Sequence, residues 1–132
     1  MPTNTRAVVD EFFARVGAGA VEDALELIAE PVDWFTPGDT GIIPWMGRRA
    51  TRSEVRDFFR MASENMTAEK FDINRTLVDD GVAVVLGRFR YRVNATGKSF
   101  DSEFALELHV TDGLIDRYHM HEDSFAISLA FG

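Results

Sequence analysis

The C-terminal half of the chain, residues 71–125, decides the fold and reads FDINRTLVDDGVAVVLGRFRYRVNATGKSFDSEFALELHVTDGLIDRYHMHEDSF. Its apolar side chains recur at every second residue, the period of a β-strand that buries one face. Asp-Gly pairs at 80–81 and 112–113 are typical of tight hairpin turns, and residues 94–97 supply a further turn. The pattern therefore predicts an antiparallel meander with strands at Phe71–Val78, Val82–Val93, Ser99–Val110 and Leu114–Phe125.

The N-terminal part of the chain has a helical period instead. Apolar residues follow one helical stripe over Thr5–Val16, and a shorter helix is predicted between Val21 and Pro31. Val32–Thr36 is predicted as a short strand. Thr51-Arg52-Ser53-Glu54 has the form of a capping box and predicts the start of a third helix. Helices followed by an antiparallel meander indicate an α+β fold rather than alternating β-α-β units.

Length and composition restrict the classes of function. We predict a single domain over residues 1–132, because 132 residues are typical of one domain. The chain has no cysteine, which excludes disulfides and thiolate chemistry. Its net charge of −8 argues against nucleic acid and anionic membranes as partners. No apolar run approaches the ~20 residues of a membrane span, and no secretion signal is recognisable, so we predict a cytoplasmic location.

Cross-strand pairing predicts which sheet face is polar. If the 94–97 turn pairs Val93 with Lys98, Arg90 lies opposite Asp101 and Arg88 opposite Glu103 on one face. The opposite face is then apolar and is the one that the helices cover.

The same argument, carried through a two-residue turn at 112–113, predicts the orientation of the last strand. Arg117, His119 and His121 would then point to the apolar face, and Tyr118 and Glu122 to the polar one. The sequence therefore predicts two imidazoles inside an apolar cavity.

Several segments carry a resemblance to a known superfamily. They are the aromatic pair Phe12-Phe13, Pro44–Gly47, Val55–Phe59, Gly113–Ile115 and Tyr118–Asp123. In this order they resemble the nuclear transport factor 2-like superfamily of ketosteroid isomerase, limonene epoxide hydrolase and the polyketide cyclases, with the SnoaL-like branch nearest. The resemblance implies three N-terminal helices packed in a strongly curved mixed or antiparallel sheet, a cone with one deep pocket, and a homodimer.

The catalytic residues of these relatives do not carry over. Without gaps, Phe12 and Thr36 fall where ketosteroid isomerase has its tyrosine and its general-base aspartate, and Ala105 or Leu106 falls where its second aspartate stands. The last-strand aspartate of limonene epoxide hydrolase falls at Met120 or at an adjacent histidine. The resemblance thus implies a pocket in which imidazole replaces carboxylate.

His119 and His121 are therefore the predicted catalytic residues, with Asp123 orienting one of them. An imidazole can take up and return a proton near neutral pH, which suits isomerisation, cyclisation or epoxide opening. Two histidines at this spacing could instead hold a metal, with His109, Glu122 or Asp123 as third ligand, or be structural. Asp123 could alternatively cap a terminal helical turn. We expect neither a metal nor an organic cofactor.

The predicted function is that of a small pocket protein for a hydrophobic molecule, acting as a cofactor-independent isomerase, cyclase or hydrolase. The alternatives are a non-catalytic binding module and a dimeric interaction module of the same fold. Apolar residues of the helices, loop and sheet would line the pocket, with a core role as the alternative for each. The predicted lining residues are Phe12, Val16, Trp34, Trp45, Phe58, Phe89, Phe104 and Leu106.

Overall fold

The computed structural model describes residues 4–132, and within them the chain forms four helices and six strands. The helices are α1 (Thr5–Gly17), α2 (Val21–Leu25), α3 (Arg52–Asn65) and α4 (Ser124–Phe131). The strands are β1 (Ile28–Thr36), β2 (Gly47–Arg49), β3 (Met66–Asp79), β4 (Val82–Val93), β5 (Ser99–Thr111) and β6 (Leu114–Glu122).

The six strands form one mixed sheet in the order β2-β1-β6-β5-β4-β3. All neighbouring strands are antiparallel except β1 and β6, which are parallel. The sheet curls around the helices without closing into a barrel, which confirms the predicted α+β fold. We call the helix-covered side of the sheet the inner face and the other side the outer face.

Local sequence signals account for the helix starts. The side chain of Asn4 accepts a hydrogen bond from the amide of Ala7 at 2.7 Å and caps α1. Thr51 and Glu54 form the predicted capping box at the start of α3. These caps satisfy amides that a helix cannot pair internally, so α1 and α3 begin where the sequence indicated.

Several boundaries differ from the predicted ones because tertiary pairing extends or ends the elements. β1 begins at Ile28, which pairs with Ile115 of β6, so the second helix is shorter than predicted. β3 begins at Met66, opposite Val93, rather than at residue 71. β6 ends at Glu122, and α4 follows where the last strand was predicted to continue.

The β4–β5 hairpin has the predicted register. Arg90 pairs with Asp101 and Arg88 with Glu103, and the guanidinium of Arg90 lies 2.6 Å from the carboxylate of Asp101. Burial alternates along both strands, and the side chains that point inward are apolar apart from Tyr91 and Ser102. The predicted division of this hairpin into a polar and an apolar face is therefore confirmed.

The β5–β6 hairpin contains a β-bulge, and the predicted orientation of β6 is wrong. Ile115 pairs with Val110, but the next pair along the hairpin is Arg117 with His109, so Asp116 is the extra residue. One extra residue exchanges the two faces of a strand. Beyond the bulge, Tyr118 and Glu122 point inward and His119 points outward.

Candidate active site

A cavity of about 980 Å³ lies between the inner face of the sheet and helices α1 and α3. This volume is at the upper end of the range for small-molecule sites. Of the eight predicted lining residues, five border the cavity: Phe12, Val16, Trp45, Phe58 and Phe89. The other three lie in the core outside the lining: Trp34, Phe104 and Leu106.

Close packing explains why two of these residues do not reach the cavity. Trp34 stacks flat on Tyr118, with the ring centroids 3.6 Å apart, and supports that ring from β1. Phe104 lies against Gly87, where an added Cβ would come within 2.6 Å of its ring. Trp34 and Phe104 therefore hold the wall of the cavity in place rather than form its surface.

The cavity has an exposed mouth and a buried end. Lining residues at the mouth are exposed and come from the α1–α2 turn, α3 and β3, including Gly19, Arg60 and Phe71. At the mouth, Arg56 of α3 binds both carboxylate oxygens of Glu22 of α2, at 2.6 and 2.9 Å. The buried end lies where β1 and β6 finish, under the loop that follows β1 and under α4; its lining residues include Thr36, Trp45, Met46, Met120, Glu122 and Ile127.

Glu122 supplies a carboxyl group at the buried end. It lies at the end of β6, opposite Phe104, and points inward among apolar and aromatic side chains. Burial raises the pKa of its carboxyl to about 7. Both the protonated and the deprotonated form of Glu122 are therefore present near neutral pH, as proton transfer requires.

Two tyrosines face the same cavity near Glu122. Burial, followed by the nearby Glu122 carboxyl, raises the pKa of Tyr91 to about 12. Burial also raises the pKa of Tyr118 far above its ordinary value, with smaller contributions from Glu122 and Tyr91. Both hydroxyls therefore stay protonated at neutral pH and can donate hydrogen bonds to an oxygen in the cavity.

His119 lies in a polar network on the outer face, not in the cavity. Its Nδ1 accepts a hydrogen bond from Arg117 at 3.3 Å, which assigns the ring proton of the neutral form to Nε2. Nε2 lies 2.9 Å from Asp33 but is not aligned for a hydrogen bond. The same carboxylate accepts a hydrogen bond from Arg117 at 3.1 Å.

The carboxyls of this network have lowered pKa values. The adjacent His119, then Arg117 and Arg48, hold the pKa of Asp33 below its ordinary value against the effect of burial. Glu107 contacts His109 at 2.6 Å and Arg117 at 3.1 Å, and these cationic or hydrogen-bonding neighbours lower its pKa as well. Both carboxylates of the network thus form ion pairs with Arg117.

The other predicted catalytic residues are also outside the cavity. His121 points outward and is exposed, because the bulge exchanges it with Glu122. Asp123 is exposed and accepts a hydrogen bond from the amide of Ala126 at 3.0 Å, so it caps α4. Within residues 4–132, no three His, Asp or Glu side chains converge on a position that could hold a metal ion.

The sequence comparisons agree with this architecture. A sequence model of the SnoaL-like domain matches residues 9–118, which is most of the chain. The chain belongs to the SnoaL-like family. No curated protein matches it significantly. In the part of the chain that the structure describes, this SnoaL-like protein has no helix of the length and apolar character needed to cross a membrane.

Solved structures share the fold over nearly the whole chain. An NTF2-like protein from Burkholderia xenovorans is 22% identical, with a TM-score of 0.89 and coverage of 100% of this chain and 99% of that one. A Bacillus subtilis protein that carries the name of an isomerase is 16% identical, with a TM-score of 0.78 and coverage of 97% and 92%. A Mesorhizobium loti protein named as a SnoaL-like polyketide cyclase is 15% identical, with a TM-score of 0.71 and coverage of 88% and 97%.

Sequence reasoning missed Glu122 as a cavity residue, although a signal was present. In a regular strand Ile115, Arg117 and His119 share a face, but after Leu114, which adjoins the turn, the apolar residues of β6 are Ile115, Tyr118 and Met120. The first interval is three residues and the second is two. An interval of three in an otherwise alternating strand is what a bulge produces.

Proposed function

We propose that this SnoaL-like protein is a cofactor-independent enzyme that uses Glu122 to move a proton on a hydrophobic, carbonyl-bearing small molecule. The observation that carries the proposal is one carboxyl with a pKa of about 7 that faces a largely apolar cavity. Desolvation makes the carboxylate a stronger base than it is in water. Two structural neighbours carry the names of an isomerase and a cyclase, which is the same type of chemistry.

The proposed step is an enolisation. The Glu122 carboxylate takes a proton from the carbon next to the carbonyl, and the electron pair of that C–H bond moves onto the carbonyl oxygen as an enolate. Tyr118 and Tyr91 face the same space and can donate hydrogen bonds to the developing oxygen charge. Glu122 then returns the proton to the same carbon or to another one, and no redox partner is needed.

The test is deuterium exchange. Hydrophobic ketones such as 2-tetralone and 2-acetylnaphthalene are incubated with the protein in D₂O, and loss of the α-proton signal is followed by NMR. We expect the wild type to accelerate exchange and Glu122→Gln to slow it by about a hundredfold or more. The rate should rise with pH and reach half its maximum near pH 7, because only the deprotonated carboxyl acts as base.

Glu103→Gln is the matched control, since it makes the same chemical change at an exposed position of β5. Equal exchange rates in the wild type and Glu122→Gln would contradict the acid–base proposal. Tight binding of these ketones with no exchange at any pH would favour the alternative function, a non-catalytic binding module.

We propose further that the protein is a homodimer that pairs through the outer face. Leu77 of β3 and Val82 and Leu86 of β4 form an apolar stripe on that face, and they are 49%, 36% and 36% exposed. Light scattering should give twice the chain mass of 14.8 kDa for the wild type and one chain mass for Leu86→Glu. Leu129→Glu changes an exposed leucine of α4 in the same way and should leave the mass unchanged.

A further inference from the structure

Thr36 has a buried hydroxyl group without a partner. The residue lines the cavity and is 3% exposed, and within residues 4–132 its Oγ1 has no hydrogen-bond partner. Leaving a buried polar group unpaired is costly, and most such groups in folded proteins are paired. Residues 4–132 therefore bury the Thr36 hydroxyl beside the cavity without supplying a hydrogen-bond partner for it.

The neighbouring strands explain why the protein does not satisfy this hydroxyl. On one side, Thr36 pairs with Gly47 of β2, which has no side chain. On the other side, the register that pairs Phe35 with His119 places Met120 of β6 next to Thr36. A thioether is only a weak acceptor. Within residues 4–132, then, no side chain supplies a strong hydrogen bond to Thr36, whereas a molecule inside the cavity can.

The position of Thr36 relative to Glu122 follows from the parallel pairing of β1 and β6. Parallel strands end at the same edge of a sheet, and both residues point inward at that edge. Glu122 lies one strand over and two residues beyond Met120, so the two backbones are about 8 Å apart at ideal strand spacing. A molecule the size of two fused rings can touch both side chains at once.

We propose that the Thr36 hydroxyl donates a hydrogen bond to a carbonyl oxygen of the bound molecule and thereby selects carbonyl compounds over hydrocarbons of the same shape. The inference rests on the proposed function, because it takes the end of the cavity at Glu122 as the position of the carbonyl group. Thr36 is in this view a substrate-binding residue that sets specificity. It transfers no proton.

The experiment compares two probes that differ in one oxygen, 2-acetylnaphthalene and 2-ethylnaphthalene, by isothermal titration calorimetry. The quantity measured is the ratio of the two dissociation constants in each protein. We expect the preference for the ketone to fall about fivefold in Thr36→Val and to be restored in Thr36→Ser, which keeps the hydroxyl. Thr36→Val should melt at the same temperature as the wild type or higher, because it removes an unpaired buried hydroxyl.

Thr76→Val is the matched control, since Thr76 is a half-buried threonine of β3 outside the cavity. An unchanged ratio in Thr36→Val, an equal loss in Thr76→Val, or no binding of the ketone to the wild type would each overturn the inference. If Thr36→Val does not fold, Thr36→Ala provides the same comparison. The affinity ratio tests Thr36 alone, whereas the effect of Glu122→Gln on deuterium exchange tests the proposed function, so the two can fail separately.

Discussion

Carboxyl groups on the two faces of the sheet have pKa values that are shifted in opposite directions. On the outer face, Asp33 is next to His119, Arg117 and Arg48, and its pKa is lowered. On the inner face, Glu122 is half-buried, no cationic side chain within residues 4–132 shifts its pKa, and desolvation raises that pKa to about 7. The comparison shows that a high density of charged side chains does not by itself indicate a reactive site. The outer groups neutralise each other, whereas Glu122 is free to exchange a proton.

Insertion of one alanine between Arg117 and Tyr118 is the most severe test of this comparison. The added residue would take the inward position opposite Leu108, so Tyr118 and Glu122 would turn outward and His119 would turn inward. Burying His119 without Asp33 and Arg117, and exposing Tyr118, should destabilise the protein by about 3 kcal/mol or more. Urea unfolding followed by circular dichroism measures the loss.

Asp116→Ala keeps the extra residue and removes only the hydrogen bond from Thr111, so it should cost about 1 kcal/mol or less. An insertion variant as stable as Asp116→Ala would show that the register of β6 does not fix its faces.

Glu122→Gln should change how stability depends on pH. The pKa of Glu122 is about 7 in the folded protein, whereas a glutamate in an unfolded chain has a pKa of 4.5, so the folded state holds the proton more tightly. The wild type should therefore lose roughly 1–3 kcal/mol of unfolding free energy as the pH rises from 4.5 to above 7. Glu122→Gln lacks this loss, so its stability relative to the wild type should be greater at pH 8 than at pH 5.

Asp33→Asn should show the opposite dependence. The lowered pKa of Asp33 means that its charged form is favoured by folding. The stabilisation is present above the ordinary pKa of 3.8 and is lost as the pH falls through the lower folded value. Wild type and Asp33→Asn should thus differ by about 1 kcal/mol at pH 7, and the difference should shrink as the pH falls below 3.8. The same trend with pH in Asp33→Asn and Glu122→Gln would contradict the contrast between the two faces.

His119→Gln should have the smallest effect on chemistry. His119 is on the outer face, where it contacts Asp33 and Arg117. We expect the rate of deuterium exchange on hydrophobic ketones to stay within about twofold of the wild type. A hundredfold loss, with the fold intact by circular dichroism, would restore the histidine mechanism that the sequence predicted.

The sequence predicted the architecture because several local signals agreed. The capping box at Thr51, the alternation along β4 and β5 and the opposite charges of Arg90 and Asp101 each specify one local geometry. The parallel pairing of β1 with β6 leaves no local signal, because it joins segments more than 80 residues apart in the chain. Its consequence, the meeting of Thr36 and Glu122 at one edge, could therefore not be predicted from local patterns.

The site was predicted less well because it depends on one residue of register. The same parity rule that correctly placed Phe89 and Phe104 inward placed His119 inward too, since it assumed a regular hairpin after residues 112–113. Asp112 and Gly113 do form the tight turn, with φ angles of 53° and 79°. The irregularity comes three residues later. The role of Asp123 could not be predicted for a similar reason, since a carboxylate that caps a helix and one that orients a histidine look alike in sequence.

The edge at which β1 and β6 end has a further consequence for how this protein can diversify. The two polar residues, Thr36 and Glu122, belong to strands whose hydrogen bonding fixes them, whereas Trp45, Met46 and Ile127 come from the loop and the helix that follow those strands. The reacting groups and the shape of the compartment are thus encoded in separate stretches of chain. Exchanging the loop or α4 would remodel the compartment for a different molecule and leave the proton-transfer geometry in place.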